Sequence, residues 1–589
     1  MKKLVFALIM LLVLSFVLVA TSETTSALPT PVIRIKSDGT VEGTDKIQQA
    51  GNVYTLTGNL ESSVGMNEAF IFIEKDGITF DGAGYTIQGS DSGTAIYMLR
   101  MKNVKIKNFN IRGFETGINF WTVQNWPADS NYIGLPSASK NQILNNTITT
   151  VGSVFEGSIK EVGWCIYLSD AFYSNISGNT FTSRDHRGGV FLDTTCGNTN
   201  LLNNNFVGCG IYAVDSNRTS AQGNMVDGKP LTILDEASNQ VVDGSGQVYL
   251  FHCNNIVVKN TQPFYDYGRT IQLVETKNSE VLNCKGYLTL TNSSQNTIHD
   301  NSLITIDLDT SCYNRIFANK IADTGVCVKL YKSSNYNEIY GNILSDTRVS
   351  AKADKIHKLG LNTAGIQLGD AELGGCQFNK IHDNTIAEHD VGLECFLSSN
   401  NTIYANSISS CKAGIQLGSS NQNNISQNNV TACTYAVSIY AASSNNAFYQ
   451  NNFFGNQMQC FETHKSTLLS PGDSYSTNNV WDNGEEGNYW SNYNGTDANV
   501  DGIGDEAFTV FEKMVDNYPL MKPYAMQASR NNESRAVPLD QNPTVATPTP
   551  SAEATPTVEL FPAVYIVVAV GLVVAVIAGL LLYFKKLIW

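Results

Sequence analysis

Asparagine and apolar residues recur along this chain in units of 22 to 23 residues. Each unit has an Asn, an apolar residue two positions later, a second Asn five positions later and another apolar residue seven positions later. Four consecutive units begin at Asn379, Asn401, Asn423 and Asn446, and earlier copies begin at Asn141, Asn296, Asn314 and Asn337. A fixed period of this length is typical of a solenoid in which each unit packs on the next.

The segments between the asparagines have the period-two pattern of strands. Gly365-Ile366-Gln367-Leu368 and Gly414-Ile415-Gln416-Leu417 are examples. Such short strands cannot bury a face alone, so equivalent strands must stack coil on coil, which predicts an all-β right-handed parallel β-helix. Asn suits the corners because it tolerates left-handed backbone and can bond to the same amide one coil away. We therefore expect Asn379, Asn401 and Asn423 in a single file. No segment before residue 563 has the sustained 3.6-residue period of a helical solenoid.

Both ends of the chain carry membrane-related signals. Lys2 and Lys3 precede an apolar run, which indicates a secretory signal peptide or, alternatively, an uncleaved anchor. Residues 563–584 contain no charge and precede two lysines, so they predict a transmembrane helix with a cytoplasmic C-terminus. The predicted order is signal peptide 1–27, N-terminal β cap 28–70, β-helix 71–465, capping segment 466–525, Pro/Thr-rich linker 526–562, transmembrane helix 563–584 and cytoplasmic tail 585–589. This order places the β-helix at the cell surface.

The composition and net charge limit the kinds of molecule that this protein can bind and the modifications that it can carry. The net charge of −15 disfavours binding to nucleic acid, which is itself a polyanion. Twelve cysteines in an exported chain would suggest disulfides, but Cys411 and Cys433 lie 22 residues apart at equivalent positions, which favours stacked buried thiols. Asn-X-Ser/Thr triplets predict glycosylation; examples begin at Asn175, Asn217, Asn292, Asn424, Asn429, Asn494 and Asn532.

Three carboxylates follow equivalent strands early in the repeat. Asp170, Asp193 and Asp215 are 23 and 22 residues apart and are expected in one column, with Arg184 and His186 in the same coils. Stacked carboxylates raise one another's pKa, so such a column could supply the acid and the base of a carbohydrate-active enzyme. An Asp after a strand is also a common turn cap, and the residues alone leave both interpretations open.

A second acidic motif lies in the capping segment. Asp497, Asn499, Asp501 and Asp505, with Ile503 at the carbonyl position, match the first nine positions of a calcium-binding loop. The twelfth position is Phe508 rather than Glu, so a further oxygen would have to come from elsewhere. The alternative is an Asx-rich turn that closes the last coil beneath Trp481 and Trp490. These residues suggest calcium as a possible cofactor, and no organic cofactor is expected.

Three stretches carry a family resemblance: the Asn-rich repeat, residues 78–87 (ITFDGAGYTI), and the closing motifs at 488–491 (NYWS) and 516–520 (DNYPL). Over roughly residues 30–525 the chain resembles the NosD-like β-helix proteins, within the broader group of carbohydrate-binding and sugar-hydrolase (CASH) domains. Overall, the chain most resembles the archaeal cell-surface members of this group. The resemblance implies a parallel β-helix. NosD itself is associated with copper delivery, for which Met458, Cys460 and His464 are the nearest approach to a ligand set here.

Three functions follow from these features. The leading expectation is a non-catalytic, membrane-anchored surface protein that binds polysaccharide or envelope components. A polysaccharide-active glycosidase, lyase or epimerase using the stacked carboxylates is the second. A NosD-like accessory factor that handles metal is the third.

Overall fold

The computed structural model describes most of the chain between residues 32 and 525. The described ranges are 32–120, 138–151, 163–169, 171–184, 188–193, 196–213, 219–263, 269–322, 324–346, 363–440, 442–463 and 476–525. The chain divides into two compact units, residues 1–528 and 529–589, and every described residue belongs to the first. The predicted signal peptide, linker, transmembrane helix and tail lie outside the described residues.

The described residues form a parallel β-helix, which confirms the predicted all-β fold. Each coil contributes one strand to each of three sheets, here called sheets 1, 2 and 3. The N-terminal half forms sheet 1 from Ile33–Ile35, Val41–Glu42, Ala69–Ile73, Thr94–Met98, Thr116–Phe120, Ile166–Leu168, Val190–Leu192 and Ile211–Ala213. It forms sheet 2 from Ile47–Ala50, Val53–Leu56, Thr79–Asp81, Lys105–Lys107, Gln142–Leu144, Asn175–Ser177, Asn200–Leu202 and Ser220–Gln222. It forms sheet 3 from Leu60–Glu61, Thr86–Gln88, Asn110–Phe114, Thr147–Thr150, Thr180–Ser183, Asn205–Val207 and Met225–Val226, and Ala138–Ser139 pairs separately with Ala171–Phe172.

The C-terminal half repeats the arrangement after an antiparallel pairing of Met225–Val226 with Lys229–Asp235. Its first coils use the strands Lys229–Asp235, Gln247–Phe251, Arg269–Val274, Lys285–Thr291 and Ser302–Asp309. Sheet 1 then continues through Val326–Tyr331, Ala364–Leu368, Val391–Phe396, Ala413–Gly418, Tyr435–Tyr440 and Met458–Thr463. Sheet 3 continues through Lys320–Ala322, Ile343–Ser345, Thr385–Ala387, Ser407–Ser409, Asn429–Thr431, Asn452–Phe454 and Tyr489–Trp490. Sheet 2 comprises Ser238–Asp243, Asn254–Lys259, Glu280–Leu282, Thr297–His299, Arg315–Phe317, Glu338–Tyr340, Lys380–His382, Thr402–Tyr404, Asn424–Ser426 and Ala447–Tyr449.

Two files of asparagine hold the coils of the C-terminal half together. The N–H of Asn379 donates to Oδ1 of Asn401 at 2.9 Å, and the N–H of Asn401 donates to Oδ1 of Asn423 at 2.9 Å. This confirms the predicted single file. The first file continues on both sides through Asn296, Asn314, Asn337, Asn446 and Asn479, and the second runs through Asn301, Asn319, Asn342, Asn384, Asn406, Asn428, Asn451 and Asn488. Each side chain satisfies corner amides that the sheets leave unpaired.

The closing segment packs over the last coil. Trp481 stacks on Phe448 at 4.4 Å between ring centroids, and Trp490 stacks on Phe453 at 4.5 Å. Both tryptophans are buried. The hairpin of Phe508–Phe511 with Met514–Asp516 completes the cover, and Phe508 contacts Trp490. The segment therefore covers apolar side chains that an open final coil would expose.

The cysteines are thiols rather than disulfides, and all twelve lie in the described part of the chain. Eleven are buried and Cys312 is half-buried. Burial raises the pKa of Cys376 to about 12. Cys411 and Cys433 contact each other from consecutive coils, as their spacing predicted, and the contact contributes to a raised pKa of Cys411.

No helix among the described residues is long and apolar enough to cross a membrane. The predicted span at 563–584 lies outside that part, so it stays a prediction.

Candidate functional site

Sheet 1 of the C-terminal half carries a line of polar side chains on its outer face. Successive strands align Lys329, Gln367, Glu394, Gln416 and Ser438 in strict register. The flanking strand residues at each level are buried apolar side chains of the core. Because neighbouring parallel strands lie ~4.8 Å apart, this line, the polar column, repeats hydrogen-bonding groups at a regular interval.

Glu394 is the centre of the polar column. Its Oε1 accepts a hydrogen bond from Gln416 Nε2 at 3.0 Å, and its Oε2 accepts one from Gln367 Nε2 at 3.1 Å. Glu394 keeps 8% of its surface exposed. Burial raises the pKa of Glu394, and the hydrogen bonds from Gln416, Tyr440 and Gln367 oppose that rise. Glu394 is thus a nearly buried carboxyl group that resists ionisation more than an ordinary Glu.

Tyr440 reaches Glu394 from two coils away. Its hydroxyl donates to Oε1 of Glu394 at 3.4 Å. The ring crosses over Gly418, where a Cβ atom would lie 2.4 Å from the Tyr440 ring carbon Cζ. Only glycine at residue 418 leaves room for this path. Burial raises the pKa of Tyr440, so the phenol stays a hydrogen-bond donor.

An ion pair lies beside the polar column. Lys329 Nζ contacts Oδ2 of Asp370 at 2.9 Å, and Oδ1 of Asp370 accepts the N–H of Glu372 at 2.9 Å. Burial alone would raise the pKa of Asp370, but the hydrogen bonds and charge of Lys329 and the amide of Glu372 bring it below its usual value. The charge of Asp370 in turn contributes to the raised pKa of Glu394. Two neighbouring carboxyl groups therefore have pKa values shifted in opposite directions.

A small buried apolar cluster lies on the same strands as the polar column. Ala364, Val391 and Ala413 form it, with Val326 packed against them. On the other side, the rings of Phe396 and Tyr440 lie 6.0 Å apart. The polar column thus lies beside a buried apolar cluster and an aromatic pair in which Phe396 is buried.

Sheet 2 offers a different outer face, with five stacked rings. Neighbouring centroids along His299, Phe317, Tyr340, His382 and Tyr404 are 4.6 to 5.0 Å apart. Because each ring face is covered by the next ring, this stack presents edges rather than faces outward. It strengthens the packing between coils but lacks the open aromatic face that a sugar ring would use.

The predicted carboxylate column is only partly described. Asp170, Asp215 and His186 lie outside the described residues. Leu168 and Leu192 are paired in register, so Asp193 comes one residue after its strand at the level of Ser169. Oδ2 of Asp193 accepts a hydrogen bond from Ser169 Oγ at 3.1 Å, and Arg184 forms an exposed ion pair with Asp91 at 3.6 Å. The catalytic role of this column stays a prediction.

The candidate calcium loop is held together by its own hydrogen bonds. Asp497 accepts the N–H groups of Asp501 and Gly502, Asp501 accepts that of Ile503, and Asp505 accepts that of Ala498. Nδ2 of Asn499 donates to Asp501 at 2.8 Å. These contacts are those of the alternative interpretation, an Asx-rich turn, and the structure gives the calcium prediction no support.

A copper site of the kind that NosD-like proteins suggest does not fit the donor atoms. No group of three or more His, Cys, Asp and Glu side chains that could hold a metal occurs within the described ranges. Met458 is exposed, whereas Cys460, on the same strand, is buried in the core, and His464 lies outside the described residues. His389 is buried, with Nε2 3.7 Å from the thiol of Cys327.

Comparison with known proteins agrees with the fold. The family model described as periplasmic copper-binding protein (NosD) matches residues 207–369 and 357–495. Residues 207–495 are therefore similar to the NosD family, which confirms the resemblance over this part of the chain. A search of curated proteins gave no significant match.

The solved structures that this chain matches are distant in sequence. The periplasmic alginate epimerase AlgG is 10% identical over 74% of this chain and 80% of its own, with a TM-score of 0.22. PfbA, a surface adhesin of Streptococcus pneumoniae, is 12% identical over 68% of this chain and 86% of its own, with a TM-score of 0.24. Tailspike protein 3 of bacteriophage CBA120 is 10% identical over 74% of this chain and 56% of its own, with a TM-score of 0.22.

The strand sequences contain a signal for the polar column that can be interpreted only once the strand register is known. Gln367, Glu394 and Gln416 occupy the same place in GIQL, GLEC and GIQL. Polar residues at alternate strand positions are ordinary, and only the stacking shows that these three bond to one another.

Proposed function

We propose that this protein is an exported surface protein that binds an uncharged carbohydrate polymer along the outer face of sheet 1. The single observation that carries the proposal is the polar column, in which Gln367, Glu394 and Gln416 stand at one level of successive coils. An extended polymer running parallel to the coil axis meets equivalent groups at a regular spacing. Amides, carboxyls and aromatic rings are the side chains that suit the alternating polar and apolar surfaces of a sugar.

The charge of the chain favours a neutral ligand. A net charge of −15 repels polyanions such as uronate polymers or nucleic acid. Within the polar column, Lys329 is already paired with Asp370, so its charge is locally balanced. We therefore expect neutral polysaccharides to bind more tightly than alginate or polygalacturonate.

Export and anchoring complete the proposal. The N-terminal signal and the apolar run at 563–584 support a cell-surface location, and the matched family is described as periplasmic. The archaeal resemblance and the glycosylation sites are further proposals. N-terminal sequencing of the mature protein and a protease-accessibility assay on intact cells test this part, because an uncleaved or inaccessible chain would contradict it.

A binding assay tests whether the protein binds a neutral polysaccharide through the polar column. The full chain in mild detergent is run by affinity electrophoresis through gels containing mannan, dextran, xylan or barley β-glucan, with alginate as the anionic comparison. We expect retardation by at least one neutral polymer and about 10-fold weaker binding for Gln416→Ala, which removes one donor of the polar column. Lys380→Ala on sheet 2 is the control and should bind as wild type. Equal losses in both variants, or retardation by alginate alone, would contradict the proposal.

A further inference from the structure

We infer that the corner between sheets 1 and 2, with the adjoining outer face of sheet 2, binds a second copy of this chain, so that the protein forms a two-fold symmetric dimer. Three exposed aromatic residues at this corner, Tyr313, Tyr336 and Phe378, are the apolar part of the surface and are here called the corner strip. Arg315 and Glu338 on the adjoining strands are its charged part. This surface is separate from the polar column, which lies on sheet 1.

The corner strip presents three stacked aromatic rings to solvent. Tyr313, Tyr336 and Phe378 are 57%, 46% and 45% exposed. Neighbouring ring centroids lie 5.0 Å apart, and the ring planes are 3° and 12° from parallel. Contiguous exposed aromatic surface of this kind is typical of a site where another protein binds.

The backbone of the corner strip disfavours the residues that it carries. All three have a φ of 58° or 59°, in the left-handed region where bulky side chains are rare and Asn is tolerated. The equivalent corners on either side carry Gln295 and Asn400 with the same backbone conformation. Three consecutive coils therefore retain strained aromatic residues where a polar residue would fit better. Strain that is retained in this way indicates a function outside the packing of the coils.

The charges beside the corner strip alternate in sign from one coil to the next. Arg315 and Glu338 are paired in register on neighbouring strands, and their side chains are 54% and 36% exposed. Arg315 Nε lies 3.3 Å from Glu338 Oε2 within the chain. A positive and a negative group one coil apart are complementary to the same two groups in reverse order. The alternation therefore favours a second copy of the chain as the occupant of this surface.

A two-fold axis midway between these two levels, perpendicular to the coil axis, satisfies the pattern. The two copies then run antiparallel, and Arg315 of each copy faces Glu338 of the other. Tyr313 of each copy faces Tyr336 of the other, so the exposed ring edges are buried against equivalent rings. The same residues thus contribute twice to the interface.

Other charges oppose the dimer and limit its strength. Each copy carries a net charge of −15, although salt screens charges that lie more than ~10 Å apart at 0.1 M ionic strength. Asp300 and Asp383 also face each other across the interface. Each of these carboxylates already contacts Nδ1 of the preceding histidine, at 2.7 and 2.8 Å. We therefore expect a reversible dimer rather than a permanent one.

The first test removes a ring and its backbone strain together. Analytical ultracentrifugation of the full chain in mild detergent measures the dissociation constants of wild type and of Tyr336→Asn, which carries a residue found at other corners. We expect dimerisation to be about 10-fold weaker in the variant, with thermal stability unchanged or higher. Tyr173→Asn, at an exposed corner of the N-terminal half with the same backbone conformation, is the matched control and should dimerise as wild type. A monomeric wild type, or equal dimerisation of Tyr336→Asn, would overturn the inference.

A charge exchange separates a contact between copies from the contact within one chain. Arg315→Glu alone, or Glu338→Arg alone, places like charges opposite each other at both contacts, so each variant should be monomeric. A mixture of the two variants restores both pairs across the interface, although neither chain regains its internal pair. We expect the mixture to form a heterodimer. A dimer of either variant alone, or a mixture that stays monomeric, would overturn the inference.

Discussion

The N–H of Asn488 donates a 2.7 Å hydrogen bond to Oδ2 of Asp516, so the second asparagine file ends in a carboxylate. The same oxygen accepts Nε1 of Trp490 at 2.8 Å, and Oδ1 accepts the N–H of Tyr518 at 3.1 Å. Asp516 is fully buried. One side chain from the closing hairpin thus terminates the file and fixes the tryptophan that covers the last coil.

Asp516 should give the stability of the protein an unusual pH dependence. Burial, opposed in part by hydrogen bonds from Asn488, Trp490 and Tyr518, raises the pKa of Asp516 from 3.8 to about 6. The folded state therefore binds this proton more tightly than the unfolded chain. The stabilisation is complete below the unfolded pKa and is lost as the pH rises through about 6.

Comparison with Asp516→Asn isolates this effect. The free energy of unfolding of wild type minus that of the variant should increase by about 3 kcal/mol at most between pH 7 and pH 4, since each pKa unit corresponds to about 1.4 kcal/mol. Urea unfolding at several pH values measures the difference. A difference that is constant, or that shrinks as the pH falls, would rule out the buried carboxylate as its source.

The asparagine files predict a large cost for a single internal substitution. Oδ1 of Asn406 accepts the N–H and the Nδ2 of Asn384, and its own Nδ2 donates to the carbonyl of Ile381 at 2.9 Å. Asn406→Ala leaves the N–H of Asn384 and the carbonyl of Ile381 on the preceding coil without these partners, so we expect a loss of about 2–4 kcal/mol. Asn494→Ala, at an exposed position in the closing segment, is the control. Similar urea midpoints for the two variants would contradict a structural role of the files.

A column of glycines sets how closely sheet 1 approaches sheet 3. A Cβ atom on Gly414 would lie 2.4 Å from Val430 Cγ1 and 2.8 Å from the carbonyl oxygen of Ala436. Gly414→Ala should therefore cost about 1–3 kcal/mol through overpacking. Gly325→Ala, where nothing lies within 4 Å of the added atom, should cost little. Thermal unfolding measures the stability of both variants. A Gly414→Ala protein as stable as wild type would contradict the close contact.

The thiols should be inert in the folded protein. Burial raises the pKa of Cys395 and of Cys460, and both lie in the core. Under native conditions a thiol reagent such as Ellman's reagent should reach Cys312 first, because it alone is half-buried. In guanidinium chloride all twelve cysteines should react. Rapid native labelling that persists in Cys312→Ser would show that the core thiols are accessible.

The repeat made the fold predictable, because the Asn period and the strand pattern both describe local interactions that recur in every coil. The spacing alone therefore predicted that Asn379, Asn401 and Asn423 stack in one file. The Glu394 site depends instead on a contact between Glu394 and Tyr440, which lies two coils away and crosses over Gly418. No local sequence pattern predicts a contact of this kind. Asp193 illustrates the same limit, since the spacing predicted it in one column with Asp170, whereas the strand register places it at the level of Ser169.

Hydroxyl-radical footprinting on the bound polysaccharide tests the central claim most directly. Tyr435 and Tyr440 lie on sheet 1, whereas Tyr313 and Tyr336 lie at the edge of sheet 2 and are 57% and 46% exposed. Saturating polymer should protect Tyr435 and Tyr440 from oxidation and leave Tyr313 and Tyr336 unchanged. Protection of Tyr313 and Tyr336 instead, or no protection of Tyr440, would contradict binding along the outer face of sheet 1.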